Sequence, residues 1–214
     1  MPPIISIVGR SKSGKTTLIE KLIAELKMRG YRIATIKHTH GNMAAPESDK
    51  DSDRHLKAGS EAALVTGPDR LIMVKPLQQE LILEQIAQII GEDYDLILTE
   101  GFKHDDAPKI EVHRKENALP LPDVKKLFAI ATDEPLDTKT RQFAMDDVKG
   151  IADLIEEGFV KPNKERFTLL VNDVPIPLNA FTKEFIVNIQ LAMAHGLKGV
   201  DKIRTMKIFL KKEE

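Results

Sequence analysis

The sequence predicts an α/β protein: a three-layer sandwich built on a mostly parallel sheet, followed by a small α+β appendage at the C-terminus. Three observations lead there. Short apolar runs alternate with segments of helical period through about residue 160. A glycine-containing loop joins the first apolar run to the first helical one. The composition then changes at Lys161 to Lys164, where K-P-N-K reads as a linker between residues 1–160 and 161–214.

The elements follow in order. Ile4, Ile5, Ile7 and Val8 form an apolar strand, and Thr17 to Arg29 carries Leu18, Ile19, Leu22, Ile23 and Leu26 at helical spacing. Gly30 stops that helix, and Tyr31 to Lys37 reads as a second strand. His38 to Lys50 is polar and without period, hence a loop. Asp51 or Ser52 is placed to cap a short helix that runs to about Ala58. Ala62 to Thr66 reads as a small buried strand, Gly67 to Asp69 as a turn, and Leu71 to Val74 as a strand. Gln78 to Ile90 reads as an amphipathic helix closed by Gly91. Tyr94 to Thr99 is a strongly buried strand, Lys109 to His113 alternates as a half-exposed strand does, and Leu127 to Thr132 is wholly apolar. Asp146 and Asp147 cap a helix through Glu157, stopped by Gly158. Beyond the linker, Phe167 to Val171 and Val174 to Leu178 read as a hairpin, Phe181 to Ala194 as a helix, and Arg204 to Leu210 as a last strand.

Residues Gly9, Arg10, Ser11, Lys12, Ser13, Gly14, Lys15 and Thr16 read G-R-S-K-S-G-K-T, a complete G-x-x-x-x-G-K-[ST] phosphate-binding loop. The spacing has a physical cause. Its glycines let successive backbone N–H groups turn toward the α- and β-phosphates, Lys15 reaches the β- and γ-phosphates, and the Thr16 hydroxyl sits on Mg²⁺. The helix N-terminus, where Thr17 follows, adds partial positive charge. A strand before it and a helix after it complete the context of a P-loop NTPase. The chain is expected to bind a nucleoside triphosphate.

In a parallel sheet, ligands bind outside the carboxyl ends of the strands. That rule gathers Gly9 to Thr16, Lys37-His38, Glu100-Gly101 and Asp133 along one edge. Glu100, at the end of a buried strand, is placed to hold the metal's water shell or orient the attacking water; the alternative is a carboxylate capping the next turn. Lys37 or His38 suits a phosphate or substrate contact. His38 and His40, two apart without cysteine, are a weak metal signal. Asp51 is either a helix cap or a carboxylate that approaches Mg²⁺ on nucleotide binding. Asp133 is placed to accept the N1–H and N2–H of guanine, although no N-K-x-D motif is present. His113, Arg114 and Arg141 carry no diagnostic spacing; Arg114 is either a charge stabiliser or plain surface.

Composition narrows the classes. The 214 residues, 42% hydrophobic and 30% charged, suit one sizeable core or one domain and a small appendage. A formal net charge of −1 leaves no electrostatic footprint for nucleic acid. The absence of cysteine excludes disulfides and thiolate metal sites. No secretory signal and no run of eighteen apolar residues is seen, so a cytoplasmic protein with no membrane partner is expected.

In combination, G-R-S-K-S-G-K-T-T, I-K-H-T-H, K-D-S-D-R-H-L-K-A-G-S and D-L-I-L-T-E-G-F-K-H closely resemble the molybdopterin-guanine dinucleotide biosynthesis protein B family. K-I-E-V-H-R and I-A-T-D sit where that family has its later strands, and the resemblance covers about Ile4 to Phe159. It implies a GTP-binding P-loop protein with weak GTPase activity, with Mg²⁺ as the cofactor already expected from the loop. It also implies a homodimer that assists the molybdopterin guanylyltransferase, with molybdopterin or molybdoenzyme maturation factors as further partners. By position, Gly9 to Thr17 would be the GTP phosphate loop, and Lys37, His38, Asp51, Ser52, Glu100 and Gly101 would line the active face. The chain departs from many members at Gly41 and at Ser48-Asp49. Two other classes compete. A small-molecule kinase would want an arginine-rich lid, where Gly101 to Lys126 offers only Arg114. A nickel-type metallochaperone GTPase would want cysteine or dense histidine.

Overall fold

The computed structural model describes residues 1–39, 41, 50–117, 119–163, 166–172, 174–200, 202–203 and 205–210. The chain forms two compact units, Met1–Lys164 and Glu165–Glu214.

The first unit is the expected α/β sandwich. Its strands β1 (Ile4–Val8), β2 (Ile33–Lys37), β5 (Leu96–Glu100), β6 (Lys109–His113), β7 (Leu127–Thr132) and β8 (Arg141–Ala144) form one sheet in the order β2-β5-β1-β6-β7-β8. Every pairing in it is parallel. One face is a continuous apolar layer of Ile5, Ile7, Leu96, Leu98, Ile110, Val112, Ala129 and Ala131. Against it pack α1 (Lys15–Met28), through Leu18, Leu22 and Leu26, and α4 (Val148–Ile155), through Ile151, Ala152 and Ile155. Burying each such Leu or Ile contributes about 1.5–3 kcal/mol. The other face receives α3 (Leu83–Ile90), whose Leu83 and Ala87 cover Ile36 and Ile97.

Several expectations change. Lys109 to His113 is an inner strand, with every residue buried, rather than a half-exposed one. Its polar side chains each find an internal partner, although Glu111 Oε2 has none among the described residues, and alternation cannot reveal such partners. Lys109 Nζ donates to the carbonyls of Asp105 and, at 2.8 Å, Ala107. Glu111 Oε1 accepts from Leu121 N–H at 2.7 Å, and His113 Nε2 lies 3.0 Å from Glu134 Oε1. The strand β8 was not foreseen; it buries only Phe143, with the Arg141 guanidinium 4.8 Å from that ring's centroid. Strands β3 (Ala63–Thr66) and β4 (Leu71–Val74) form a separate antiparallel hairpin, and only Ala63 of β3 is buried.

Helix boundaries shift as well. Helix α2 spans Lys50–Lys57, so Asp51 and Ser52 lie inside its first turn and do not cap it. Residues Gln78 to Ile82 precede α3 rather than belong to it; the Gln85 side chain accepts from Ile82 N–H at 3.1 Å and closes the first turn. Asp147 does cap α4, accepting from Gly150 N–H at 3.0 Å. Gly158 does not end the helix, which widens into a π-turn over Glu156–Val160 and tightens into a 3₁₀ turn at Lys161–Asn163.

The second unit holds a short hairpin, β9 (Leu170–Val171) and β10 (Val174–Pro175), and α5 (Ala180–His195). Asn179 caps α5 by accepting from Thr182 N–H at 2.8 Å. Residues Thr205 to Leu210 take no strand pairing, so the described part is ββα rather than ββαβ. No residue of α5 is buried, because a unit this small encloses little core.

Candidate nucleotide-binding site

The phosphate loop leaves β1 through Gly9, whose φ of 148° no L-side chain adopts easily. A Cβ there would stand 2.4 Å from the Val112 carbonyl oxygen and 2.8 Å from Ser13 Oγ. The loop is thus pressed onto β6. Gly14, with φ 100°, starts α1 and leaves its first amides pointing outward. Lys15 Nζ folds back to donate to the carbonyls of Gly9, at 3.1 Å, and Arg10, at 2.8 Å. Burial holds the Lys15 ammonium below its usual range, with the Glu100 charge opposing that shift. Arg10, Ser11, Lys12, Thr16 and Thr17 are exposed around this nest, and Ser13 is buried beneath it.

The register of the sheet brings the other clusters to the same edge. Glu100 pairs with Ile7 on one side and Lys37 on the other. Thr16 Oγ1 consequently donates to Glu100 Oε2 at 3.0 Å, and Lys37 Nζ lies 3.6 Å from the same oxygen. His38 N–H donates to the Glu100 carbonyl at 3.0 Å, and its ring tilts against Phe102 at 4.9 Å. Its Nε2 is 3.5 Å from Glu80 Oε1. Gly101, with φ 104°, has no room for a freely placed side chain: a Cβ would lie 3.2 Å from His38 Cβ. Lys37, His38, Glu100 and Gly101 are thus gathered at one end of the phosphate loop.

Asp133, at the end of β7, lies farther along the edge. Its Oδ1 accepts from Lys115 N–H at 2.8 Å and its Oδ2 is 3.6 Å from Arg114 Nη1. Asp51, on α2, ion-pairs with Arg54 at 3.1 Å, and its side chain is 68% exposed. His40 lies outside the described residues. Among the described residues, no group of three or more His, Asp or Glu side chains is arranged to hold a metal.

Sequence reasoning left the far end of the loop open, with Arg114 either a charge stabiliser or plain surface and Asp146 a helix cap. Arg114 donates from Nε to the Ser13 carbonyl at 3.1 Å, so its guanidinium lies across the loop beside Gly14. Arg10 Nε donates to the Leu119 carbonyl at 3.1 Å. A cavity of about 90 Å³ opens between Gly14, Thr17, Leu18, Lys21, Arg114, Met145 and Asp146. Beside it runs a cleft of about 430 Å³ lined by Thr132 to Pro135 and Gln142 to Asp146. The place of Arg114 directly after β6, an inner strand of the sheet, decides between the two alternatives in favour of a position beside the loop. Met145 and Asp146 follow β8, for which the sequence carried no signal.

The family pattern described as molybdopterin guanine dinucleotide synthesis protein B matches residues 4–133. The chain belongs to that family. It is 39% identical over 156 residues to the molybdopterin-guanine dinucleotide biosynthesis adapter protein of Haemophilus influenzae, covering 72% of this chain and 88% of that one. The adapter protein of the same description from Escherichia coli is 36% identical over 170 residues, covering 76% of this chain and 97% of the relative. A crystal structure of molybdopterin-guanine biosynthesis protein B superposes with a TM-score of 0.58 at 31% identity, over 72% of this chain and 97% of that one. Family and fold class both agree with the resemblance read from the motifs. No helix among the described residues is long and apolar enough to cross a membrane.

Proposed function

We propose that this family member binds GTP with Mg²⁺ at Gly9 to Thr17. In this reading it hydrolyses GTP slowly and acts as a homodimeric adapter in molybdopterin-guanine dinucleotide biosynthesis, assisting the molybdopterin guanylyltransferase. One observation carries the nucleotide part: the Thr16 hydroxyl is hydrogen-bonded to the Glu100 carboxylate at the C-terminal edge of the sheet, next to Lys15 and Lys37. The role in biosynthesis rests on family membership and on the adapter relatives.

The residues divide the task by position. The amides of Gly9 to Thr16 cradle the α- and β-phosphates, and Lys15 turns from the carbonyls of Gly9 and Arg10 to the β/γ-phosphates. Thr16 and Glu100 fit Mg²⁺, since both offer hard oxygen donors, and Mg²⁺ is commonly held by one or two such groups and by substrate phosphates. Bound there, the ion would neutralise charge on the phosphate oxygens. Glu100 orients the attacking water, and Lys37 keeps that carboxylate turned toward the loop.

Slow turnover follows from what the arginines already do. Arg10 is tied to the Leu119 carbonyl, and Arg114 to the Ser13 carbonyl and Asp133. An arginine finger supplies about 10³–10⁵ in rate in other phosphoryl-transfer systems. Among the described residues, none is poised at the Lys15–Glu100 end. The test is reconstitution of the guanylyltransferase with molybdopterin at limiting GTP–Mg²⁺. Stimulation on adding this protein supports the reading; no stimulation at any GTP concentration, or rapid phosphorylation of a small-molecule acceptor, overturns it.

A further inference from the structure

We propose that Asp146 reads the guanine of the bound nucleotide, in the cavity between the first turn of α1 and the segment after β8. The proposal rests on the nucleotide-binding reading above and adds to it the residue that selects the base.

The direction of the nucleotide comes from the order of the sheet. Strand β5 flanks β1 on one side, and β6, β7 and β8 lie on the other. Glu100, at the end of β5, bonds to Thr16, so the metal end of a triphosphate lies toward β5. A chain of phosphates crossing the amides at the start of α1 then leaves its nucleoside on the opposite side, toward β6 and β8. There Gly14, Thr17 and Lys21 meet Arg114, Met145 and Asp146 around an open cavity. The adjoining cleft of about 430 Å³ shares Met145 and Asp146 with it, and its size suits a small-molecule ligand.

Chemistry then singles out one carboxylate. Guanine presents two adjacent donors, N1–H and N2–H, which an acceptor-only carboxylate matches with both oxygens. Adenine presents an unprotonated N1 at the same place and meets the carboxylate acceptor to acceptor. Of the acids lining the two cavities, Asp133 is held by Lys115 N–H and Arg114, and Glu134 by His113. The Asp146 carboxylate is exposed and has no side-chain hydrogen bond or ion pair among the described residues. Its neighbour Asp147 is spent on capping α4. Met145 offers an apolar wall, and Arg114, fixed by Ser13, lies beside Gly14.

The experiment measures equilibrium binding of GTP, XTP and ATP, each with Mg²⁺, to the full chain and to Asp146→Asn, Asp133→Asn and Lys15→Ala. Xanthine carries a carbonyl where guanine carries the N2 amine, so an asparagine amide suits it and a carboxylate does not. Asp146→Asn is expected to weaken GTP at least tenfold, strengthen XTP at least tenfold and leave ATP within twofold. The gain for XTP also shows that the variant is folded. Unchanged GTP selectivity in Asp146→Asn, or the same exchange of preference in Asp133→Asn, overturns the assignment while leaving the nucleotide site intact. Failure of the unmodified chain to bind any triphosphate, or Lys15→Ala binding as well as it does, overturns the parent reading and this one together.

Discussion

Lys15 is held by its own loop before any ligand arrives, since its ammonium donates to the carbonyls of Gly9 and Arg10. Replacing it by alanine removes a charge-assisted contact that contributes about 1.5–3 kcal/mol, so Lys15→Ala is expected to weaken GTP–Mg²⁺ by about ten- to a hundredfold. Calorimetric titration reads that loss, and an unchanged thermal midpoint shows that the fold survives. Glu100→Gln should keep nucleotide affinity within a few-fold and lower phosphate release at least tenfold, because the amide still contacts Thr16 but is a poor partner for the attacking water. Turnover equal to that of the unmodified chain would return Glu100 to a turn-capping role. At this scale the sequence spoke clearly where spacing itself is the chemistry. Gly9, Gly14, Lys15 and Thr16 can be named because a backbone nest admits few residues. The gathering of Arg114, Met145 and Asp146 beside Gly14 cannot be read that way, since strand order alone creates it.

Helices α1 and α4 are joined by a compact ionic cluster as well as by their apolar stripes. Arg29, just after α1, bonds to Glu25 at 2.8 Å, Asp153 at 2.6 Å and Glu156 at 2.7 Å, and Tyr31 OH donates to Glu156 at 2.9 Å. The Arg29 and Tyr31 hydrogen bonds hold the Glu156 carboxyl down to about 2, from an ordinary 4.5. A depressed carboxylate stabilises the fold fully above its unfolded value, and that contribution disappears as pH falls from about 4.5 through about 2. Glu156→Gln should therefore lower the thermal midpoint at neutral pH and flatten its decline over that acid window. Arg29→Met, which leaves three carboxylates facing one another, should cost about 3 kcal/mol in denaturant unfolding. Elements with one apolar stripe, such as α1, were legible from period alone. The strand β6 was misjudged because Lys109, Glu111 and His113 find partners in loops that period cannot see. The π-turn at Glu156–Val160 escaped for a related reason: Val160 is buried against the core and draws the chain past Gly158.

At the scale of the molecule, residues Met1–Lys164 carry the sheet, the phosphate loop and both cavities. A chain ending after Lys164 keeps the 3₁₀ turn at Lys161–Asn163, the Lys161 ion pair with Glu156 at 3.3 Å and the Asn163 bond to the Phe159 carbonyl at 2.7 Å. It is expected to unfold in one cooperative transition and bind GTP within a few-fold of the full chain, as differential scanning calorimetry and nucleotide titration would read. Broad, non-cooperative melting would show that residues 165–214 complete the core. The wholly parallel sheet has a further consequence, for how the protein is made. Strand β1 is synthesised well before its two hydrogen-bonded neighbours, Leu96–Glu100 and Lys109–His113. No hairpin can shelter it in the meantime, because parallel neighbours are never adjacent along the chain. Ile4 to Val8 must wait in the company of α1 while roughly a hundred residues are added, at about 5–20 per second. For those seconds the segment that ends in the phosphate loop is an unpaired, isoleucine-rich edge, open to association with other chains until β5 and β6 arrive.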